Sequence, residues 1–417
     1  MSDIIYDFGG SASTIKGILK DDYVRQGIVD NVNKSTELLK RIRAKKSSHG
    51  LRHIFSTQFG TSQSAGAVGE NEDLPEAGQG EYDKPFGNVK YNYNRFRVTG
   101  PALAATEGNK AAFADTLTRA VNDARDGLRL DLQRQLWGDG SGVVGVVAAG
   151  VTSATITVKQ PYGYTYDGTL SGIDATLLFR RKQKLYFATA NTTRTVVSIN
   201  PAAGTITLSA SITVILGELI YKGSAATTNK ELTGMGAIVA ASGTYMGIDR
   251  AGIPEWQGNV VDAGDVDGFL SEDLMRIAKN AARRNGTSDP NLLIGTFDIK
   301  RYYENTQKSF KRHVNPMTLE GGAKAVEFDG APLIDDKDAP PQRLWMFDTT
   351  SIEWFVMKEV DWADLDGDML KWVSGKDAWE AFLRTYKDIG CESPANQTVI
   401  KDITGWEAAA SSSDAGS

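Results

Sequence analysis

Two types of segment in this sequence have residues suited to ligand binding or catalysis. The first is a glycine-rich segment. Gly140-Ser141-Gly142-Val143-Val144-Gly145 has the glycine spacing of a dinucleotide-binding loop. Such a loop binds pyrophosphate because it follows a strand and opens a helix, whose first N–H groups point at the phosphates. Here the glycines follow a predicted helix and precede a predicted strand. We therefore expect a turn at this position rather than a nucleotide site.

The second kind is acidic and has the composition of a calcium loop. Asp262 to Asp267 and Asp361 to Asp368 are the two stretches. In an EF-hand loop the first and last ligands are carboxylates, with a glycine between them. When that glycine is aligned on Gly268 or Gly367, apolar residues occupy both ligand positions. We expect solvated turns, and a calcium site of another kind stays as the alternative.

Other catalytic or metal-binding patterns are missing from the sequence. His49, His53 and His313 form no metalloprotease pair, and Cys391 is the single cysteine, so neither a disulfide nor a cysteine zinc cluster can form. No phosphate-binding loop ending in Gly-Lys-Ser/Thr occurs. We predict that the chain is not an enzyme and has no catalytic, cofactor-binding or metal-binding residues.

Length and composition indicate a large soluble protein. The chain has 417 residues, which favours two or three domains plus arms, and its 41% hydrophobic and 24% charged content is ordinary. The net charge of −6 argues against a nucleic-acid binder with a wholly basic surface. We find no secretory signal and no apolar run that could span a membrane, and expect a cytoplasm-like compartment.

One long helix is predicted from Thr106 to Trp137. An apolar stripe recurs there at three- and four-residue steps, at Phe113, Leu117, Ala120, Val121, Ala124, Leu128, Leu132 and Leu136. Such a helix is longer than most helices of globular proteins. We expect Asn109 to cap its start and Gly138 to end it in a left-handed conformation.

An extended loop is predicted from 51 to 100, as two limbs joined by a long tip. In the return limb Val89, Tyr91 and Tyr93 form one apolar face, which then shifts phase at Phe96. The tip is acidic, with Glu70, Glu72, Asp73, Glu76, Glu81 and Asp83 against Lys84, whereas the return limb carries Lys90, Arg95 and Arg97. A loop of this length needs a surface to lie on. We expect an acidic tip to bind the basic limb of a second copy, and a solvated flexible loop is the alternative.

Residues 1–50 are predicted to form an arm with one helix. Near the C-terminal end of this arm, basic residues outnumber acidic ones. These basic residues are Lys40, Arg41, Arg43, Lys45 and Lys46. These residues are candidates to contact DNA phosphates or an acidic scaffolding partner. A solvated helical face is the alternative.

The remaining chain is predicted to be a mixture of β and α elements, which gives an α+β fold class. Residues 101–149 hold the long helix, 150–232 an all-β insertion of short strands, and 233–350 an α/β segment. In that segment Ser271 is expected to cap a helix whose buried face includes Leu274 and Ile277. Long strands follow in 351–405, and 406–417 is an Ala/Ser-rich tail expected to be disordered.

The order of these parts resembles the major capsid proteins of tailed bacteriophages, which have the Hong Kong 97-type fold. The resemblance is carried by Gly69 to Glu76 at the loop tip, Val98 to Pro101 before the long helix, Leu132 to Gly142 at the helix exit, and Ile389 to Pro394 before the last strand. It implies an N-terminal arm, an extended loop, a peripheral domain with a long spine helix, and an axial domain. The β insertion is a common departure.

The resemblance also implies a function and partners. Copies of the chain would assemble as hexamers and pentamers into an icosahedral shell around a double-stranded DNA phage genome, in the host cytoplasm, and remain in the virion. No cofactor and no membrane are implied. A portal and, because only about fifty residues precede the loop, a separate scaffolding protein are expected. Some relatives crosslink a loop lysine to an asparagine of a neighbour, for which Lys84 or Lys90 with Asn396 are candidates.

Two other functions stay open at this point. An encapsulin-type compartment would have the same fold with an enzyme cargo, but the basic arm and the large insertion favour a phage shell. An enzyme with an appended β-sandwich module would instead be a monomer or small oligomer with a concave site lined by convergent polar groups.

Overall fold

The computed structural model describes residues 36–46, 50–70, 72–101, 110–309, 317–318, 324–363 and 370–406. These residues divide into two compact units. The first unit contains 92–130 and 360–385, and the second contains 36–91, 131–359 and 386–406. Most of the predicted arm, the predicted cap Asn109 and the tail after Trp406 lie outside the described residues.

Helices and strands occur in both units, as the α+β class requires. The α-helices lie at Glu37–Arg41, Lys110–Trp137, Gly172–Ala175, Met235–Ile238, Glu272–Asn285 and Phe297–Ser309. Strands β1 to β6 lie at Arg43–Lys46, Arg52–Ile54, Thr57–Gly60, Glu81–Asp83, Phe86–Asn88 and Lys90–Thr99. Strands β7 to β12 lie at Val143–Val147, Val151–Lys159, Lys184–Phe187, Thr192–Asn200, Thr205–Val214 and Leu219–Lys222.

The later strands complete the set. Strands β13 to β21 lie at Thr244–Tyr245, Ile248–Asp249, Asn259–Asp262, Phe269–Leu270, Leu292–Gly295, Met317–Thr318, Lys324–Phe328, Ala331–Asp335 and Leu344–Phe347. Strands β22 to β26 lie at Ile352–Trp362, Lys371–Trp372, Ala378–Cys391, Thr398–Lys401 and Gly405–Trp406. Because β26 includes Trp406 and pairs with Phe269–Leu270, the tail begins after 406 and not at it.

The long helix is unbroken over 28 residues, from Lys110 to Trp137. Of the stripe residues whose side chains the structure describes, Ala120, Ala124, Leu128, Leu132 and Leu136 are buried and Val121 is half-buried. Residues four apart share one helix face, so this stripe is the face on which the helix packs. The helix prediction is therefore confirmed over the described residues.

The end of the helix differs from the prediction. Gly138 does not have a left-handed backbone, and positive φ values occur instead at Gly140 (90°) and Gly142 (86°). The N–H of Gly138 donates to the carbonyl of Gln135 at 3.1 Å, which closes the last turn one residue tighter than an α-helix does. The chain then reverses at Gly140 and Gly142 into β7. The Gly140–Gly145 run thus links a helix to a strand, which is the reverse of the order in a dinucleotide-binding loop.

Strand β6 packs against the long helix within the first unit. The Asn94 side-chain amide donates to the carbonyl of Ala124 at 2.6 Å. A Cβ atom at Gly127 would lie 3.0 Å from that amide nitrogen, so a glycine at this position permits the close approach. The other partner of β6 is β24, which belongs to a sheet with the order β1-β22-β24-β23.

The predicted apolar face of β6 is wrong. Tyr91 and Tyr93 are 47% and 55% exposed, whereas Asn92 and Val98 are buried. One alternation runs through the whole strand, with the odd-numbered residues outward, so there is no phase shift at Phe96. The outward tyrosine rings lie edge-on to Tyr386 and Phe382 of β24.

Strands β7 to β12 close into a barrel with the order β10-β11-β8-β7-β12-β9. The barrel starts at Val143, whereas the sequence pattern places the insertion from 150. The reason is that all five residues of β7 are buried, so this strand lacks the alternation that marks a half-buried strand. A closed barrel also leaves no free sheet edge, unlike the β-sandwich module considered above.

Six strands of the α/β segment and β25, which comes from the later part predicted as 351–405, form a seven-stranded sheet in the second unit, with the order β15-β25-β21-β17-β20-β19-β18. Glu272–Asn285 and Phe297–Ser309 contribute buried side chains to its core, which includes Met275, Ile299 and Leu333. The Ser271 hydroxyl accepts a hydrogen bond from the N–H of Leu274 at 3.1 Å, which confirms the predicted cap. Ile277, predicted to be buried, is 49% exposed.

Candidate intersubunit surface

The base of the extended loop is fixed by strand pairing and aromatic packing in the second unit. β2 pairs with β5 and β3 pairs with β4, both antiparallel, which makes the two limbs. The His53 ring stacks on Phe355 with ring centroids 3.9 Å apart. Phe55 and Phe59 lie against the buried ring of Trp256 at 6.3 and 5.5 Å. These contacts hold the base of the loop firmly to its own chain.

Beyond Gly60 the loop leaves that support. Residues 61–79 contain no regular strand, and nearly all of those described are exposed. Large apolar side chains are exposed here and near the limbs, with Leu74 82%, Tyr82 67% and Leu51 63% accessible. Several exposed apolar residues in one segment are typical of an interaction surface.

Four of the five predicted acidic contact residues are on this exposed part, and Asp83 is at the end of β4. Glu70, Glu72, Asp73, Glu76 and Asp83 are exposed. The Glu72 carboxylate accepts a hydrogen bond from the N–H of Gly69 at 2.8 Å, and Asp83 accepts one from the N–H of Lys84 at 2.7 Å. Within the described residues none of the five forms an ion pair, so their charge is open to a partner.

The predicted basic contact residues differ from one another. Arg95 and Arg97 both approach the Glu380 carboxylate, at 3.8 and 3.1 Å, so one carboxylate serves two guanidinium groups of the first unit. In the second unit Lys84 is exposed and Lys90 is half-buried. Burial raises the pKa of Asp388 to about 6, against an opposing effect from the Lys90 charge. The basic limb is thus partly neutralised by its own chain.

The basic end of the arm begins on a short anchored helix. Leu38 is 1% exposed, and the N–H of Leu39 donates to the Gln133 side chain at 3.0 Å. Gln133 in turn donates to Asp336, whose pKa burial raises to about 6. This anchoring leaves Lys40 at the surface, where it pairs with Glu37 at 3.0 Å.

The other arm residues are placed less completely. Arg41 is half-buried. The backbone of Arg43, Lys45 and Lys46 forms β1, which pairs in parallel with β22, and their side chains lie outside the described part of the chain. The structure therefore places Lys40 on the surface and leaves the arm's contacts untested.

A buried ionic cluster joins the end of the long helix to the exit of the barrel. Arg134 contacts Asp131 at 3.0 Å and also Glu231, while Asp131 also contacts Lys222 of β12. Burial alone would raise the pKa of Asp131, but the charges of Arg134 and Lys222 outweigh it and hold that pKa well below its usual range. The N–H of Leu232 donates to the Gln135 side chain at 3.1 Å, so helix and barrel exit are held at several points.

Asp262 and Asn396 are bound within their own chain, and residues 364–368 of the second acidic stretch lie outside the described residues. Lys401 contacts both Asp262 and Asp402, so a lysine ammonium supplies the cation that a calcium site would need there. Over the described ranges no group of three or more His, Cys, Asp or Glu residues could hold a metal ion. Asn396 is 2% exposed, and its amide donates to Asp348 at 2.9 Å, which argues against a crosslink to a neighbour's lysine.

Sequence analysis missed one charged feature of the barrel. Arg180, Arg181, Lys182 and Lys184 occupy a turn and the start of β9, and all four are exposed. The sequence does contain a pattern that could have identified this turn, namely four cationic residues within five positions.

Comparisons with known proteins bear on the whole chain. No protein-family model matches the sequence, and no curated protein matches it significantly. The structure is similar to the capsid asymmetric unit of cyanophage A-1(L), with 13% identity, 93% of this chain and 98% of that chain covered, and a TM-score of 0.57. It is also similar to the holo-SrpI encapsulin complex from Synechococcus elongatus PCC 7942, with 7% identity, 95% and 98% coverage, and a TM-score of 0.50.

These similarities extend over nearly the full length of both relatives, so they concern the whole architecture and not one shared motif. Among the described residues no helix is long and apolar enough to cross a membrane. The chain has the fold of these phage capsid and encapsulin subunits, which confirms the fold expected from its resemblance to tailed-phage capsid proteins.

Proposed function

We propose that this chain is a major capsid protein, copies of which assemble into the icosahedral shell around a double-stranded DNA phage genome. The observation that carries the proposal is the similarity to the cyanophage A-1(L) capsid subunit over 93% of the chain. The exposed apolar and acidic loop supports it, since such a surface is suited to contact with another copy. The role is structural and not catalytic, because the chain resembles shell subunits.

We assign to the parts of the chain the roles expected in a capsid subunit. Residues 1–50 are the arm, 51–100 the extended loop, and 101–149 the spine helix with the start of the peripheral domain. Residues 150–232 are the insertion, 233–350 the axial domain and 351–405 the return strands of the peripheral domain. The unbroken helix of 28 residues supports the role of a stiff spine.

The contacts in the shell would come from the loop and the arm. We assign contact with a neighbouring copy, within hexamers and pentamers, to Glu70, Glu72, Asp73, Glu76, Asp83, Lys84, Lys90, Arg95 and Arg97. We assign contact with packaged DNA or a separate scaffolding protein to Lys40, Arg41, Arg43, Lys45 and Lys46. A portal completes the assembly, which takes place in the host cytoplasm and yields the virion.

An encapsulin-type compartment is the second candidate, because the fold also matches the SrpI encapsulin with a TM-score of 0.50. The two functions differ in what the shell contains. Shells purified from producing cells and treated with nuclease should retain double-stranded DNA if the chain is a capsid protein. Shells that hold an enzyme and no DNA would favour the encapsulin.

The direct test is electron microscopy of the full chain, expressed alone and together with candidate scaffolding proteins from the same genome. We expect closed shells of uniform diameter, together with a fast-sedimenting fraction. Monomers or small oligomers under every one of these conditions would contradict the proposal.

A further inference from the structure

The barrel carries an exposed basic turn, which we define as Arg180, Arg181, Lys182 and Lys184. Residues 143–222, which contain the barrel, have seven Lys and Arg against three Asp and Glu, so this part is positively charged in a chain whose net charge is −6. The excess is concentrated in the basic turn. A local charge of this kind, on an otherwise acidic protein, attracts an acidic partner.

The geometry of the turn holds its arginines in place without neutralising them. The Arg180 guanidinium donates to the carbonyls of Leu177 and Phe179, and Arg181 donates to the carbonyl of Val197 at 3.3 Å. Carbonyl oxygens carry no formal charge, so these bonds orient the side chains but leave the positive charges. Among the described residues Arg180, Arg181 and Lys184 form no ion pair.

The acidic loop tip has the complementary properties. Glu70, Glu72, Asp73 and Glu76 lie within seven residues, and all four are exposed. Neither an ion pair nor a hydrogen bond among the described residues joins them to the barrel of their own chain. Four carboxylates within seven residues therefore match in number the four cations that the basic turn carries within five residues, and arginine binds carboxylates with two parallel hydrogen bonds.

The return limb offers a weaker partner for the same tip. Arg95 and Arg97 share the Glu380 carboxylate of their own chain, so an arriving carboxylate would have to compete with it. Lys90 is half-buried and Lys84 stands next to Asp83. The basic turn has more accessible and less compensated charge than the limb.

We propose that the acidic loop tip of one copy binds the basic turn on the barrel of a second copy. This inference rests on the proposed function, since it names the surface on which the loop lies. It gives the barrel a role in assembly, because each copy would donate one tip and accept another. Such a head-to-tail contact closes into rings when the rotation between copies permits it.

Charge reversal on each side tests the contact. The turn variant is Arg180→Glu with Arg181→Glu, the tip variant is Glu70→Lys with Glu72→Lys, and the swap variant combines them. The measured quantities are the lowest protein concentration that gives shells and the salt concentration at which shells dissociate. Each single-sided variant should raise that protein concentration by about tenfold or more, because the contact recurs in every copy. The swap variant should restore most of the loss.

A matched control changes charge by the same amount elsewhere. Lys230 and Arg284 are exposed cations outside the barrel, and Lys230→Glu with Arg284→Glu should leave both measurements near wild type. Arg180→Gln with Arg181→Gln, checked for a wild-type melting temperature, separates loss of the contact from damage to the barrel. This milder variant should show a smaller rise in the assembly concentration.

The outcomes distinguish this inference from the proposed function. If the wild type forms no shells, the proposed function is wrong and the contact with it. If wild-type shells form but the turn variant behaves like the control, the tip does not bind the turn, while the capsid role stands. If the turn variant weakens assembly and the swap fails to restore it, the turn binds another acidic surface and the assignment to the tip is wrong.

Discussion

Glu231→Gln is predicted to destabilise the chain strongly, because it breaks the ionic cluster at the end of the long helix. The side chains of Arg134 and Glu231 are only 9% and 13% exposed, so the charges of this pair are largely removed from water. Removing one partner of a buried ion pair leaves the other charge uncompensated, which costs about 3–5 kcal/mol. Asp131 still contacts Arg134 at 3.0 Å and retains part of the attraction. We therefore expect a loss of about 2–3 kcal/mol.

The assay is urea unfolding of the full chain at pH 7, below the concentration at which it assembles. The chain has eight tryptophans, of which Trp137 is fully buried in the same part of the second unit, so the tryptophan fluorescence of the whole chain should follow the unfolding. The matched control is Glu272→Gln, which breaks the exposed pair with Arg276, whose side chain is 62% accessible. An exposed helical pair contributes only about 0.3–0.5 kcal/mol.

The reasoning fails if the two variants shift the unfolding midpoint equally. That result would mean that burial of Arg134 does not strengthen its attraction to Glu231. It would also remove the argument that this cluster, rather than the surrounding apolar contacts, joins the helix end to the barrel exit.

Three further predictions concern the same core. Leu136→Ala should cost about 2–5 kcal/mol because Leu136 is fully buried, and Val121→Ala, at a half-buried position of the same helix, should cost clearly less by urea unfolding. Burial raises the pKa of Asp388 to about 6 from an ordinary 3.8, so the folded state holds the Asp388 proton more tightly than the unfolded state does. The resulting stabilisation of the folded state is fully present below about pH 4 and is lost as pH rises through 6. Asp388→Asn should remove about 3 kcal/mol of this pH dependence from the free energy of unfolding, measured from pH 4 to 8. Gly234→Ala should prevent normal folding, because the added Cβ would lie 2.3, 2.5 and 2.7 Å from three carbonyl oxygens at the end of the long helix. Gly60→Ala is the control and should be tolerated, because the atom nearest to its Cβ is 3.4 Å away. The measurement is the melting temperature of each variant.

The elements that sequence predicted well are those whose pattern is local. The long helix and the cap at Ser271 depend on spacings of three or four residues, and Leu344–Phe347 is a short apolar run bounded by turns, so both kinds of pattern can be read without knowing the fold. The start of the barrel could not be read in this way. β7 is buried on both sides, and such a strand shows no alternation.

The errors on side chains come from contacts between residues far apart in sequence. Arg97 pairs with Glu380, a separation of 283 residues, so nothing near Arg97 showed that its charge was already bound. Tyr91 and Tyr93 rest against β24, and they were assigned to the buried face because tyrosine is largely apolar. The acidic candidates of the loop are exposed, and the partner that we propose for them lies in a second molecule, so it cannot be read from one chain.

The exposed apolar side chains of the loop also favour contact with a second copy of the chain. Leu51, Leu74 and Tyr82 are each more than 60% exposed, and full burial of such side chains is worth about 1.5–3 kcal/mol each. Scaled by the fraction of each side chain that is still exposed, the three together would contribute about 3–6 kcal/mol, which is close to the lower estimates of the free energy lost when two molecules associate. One such contact would hold a pair of molecules only weakly. In the closed shell that we propose, each copy would give one loop and receive another, so contacts that are weak singly would add up over the assembly while each stays reversible during growth.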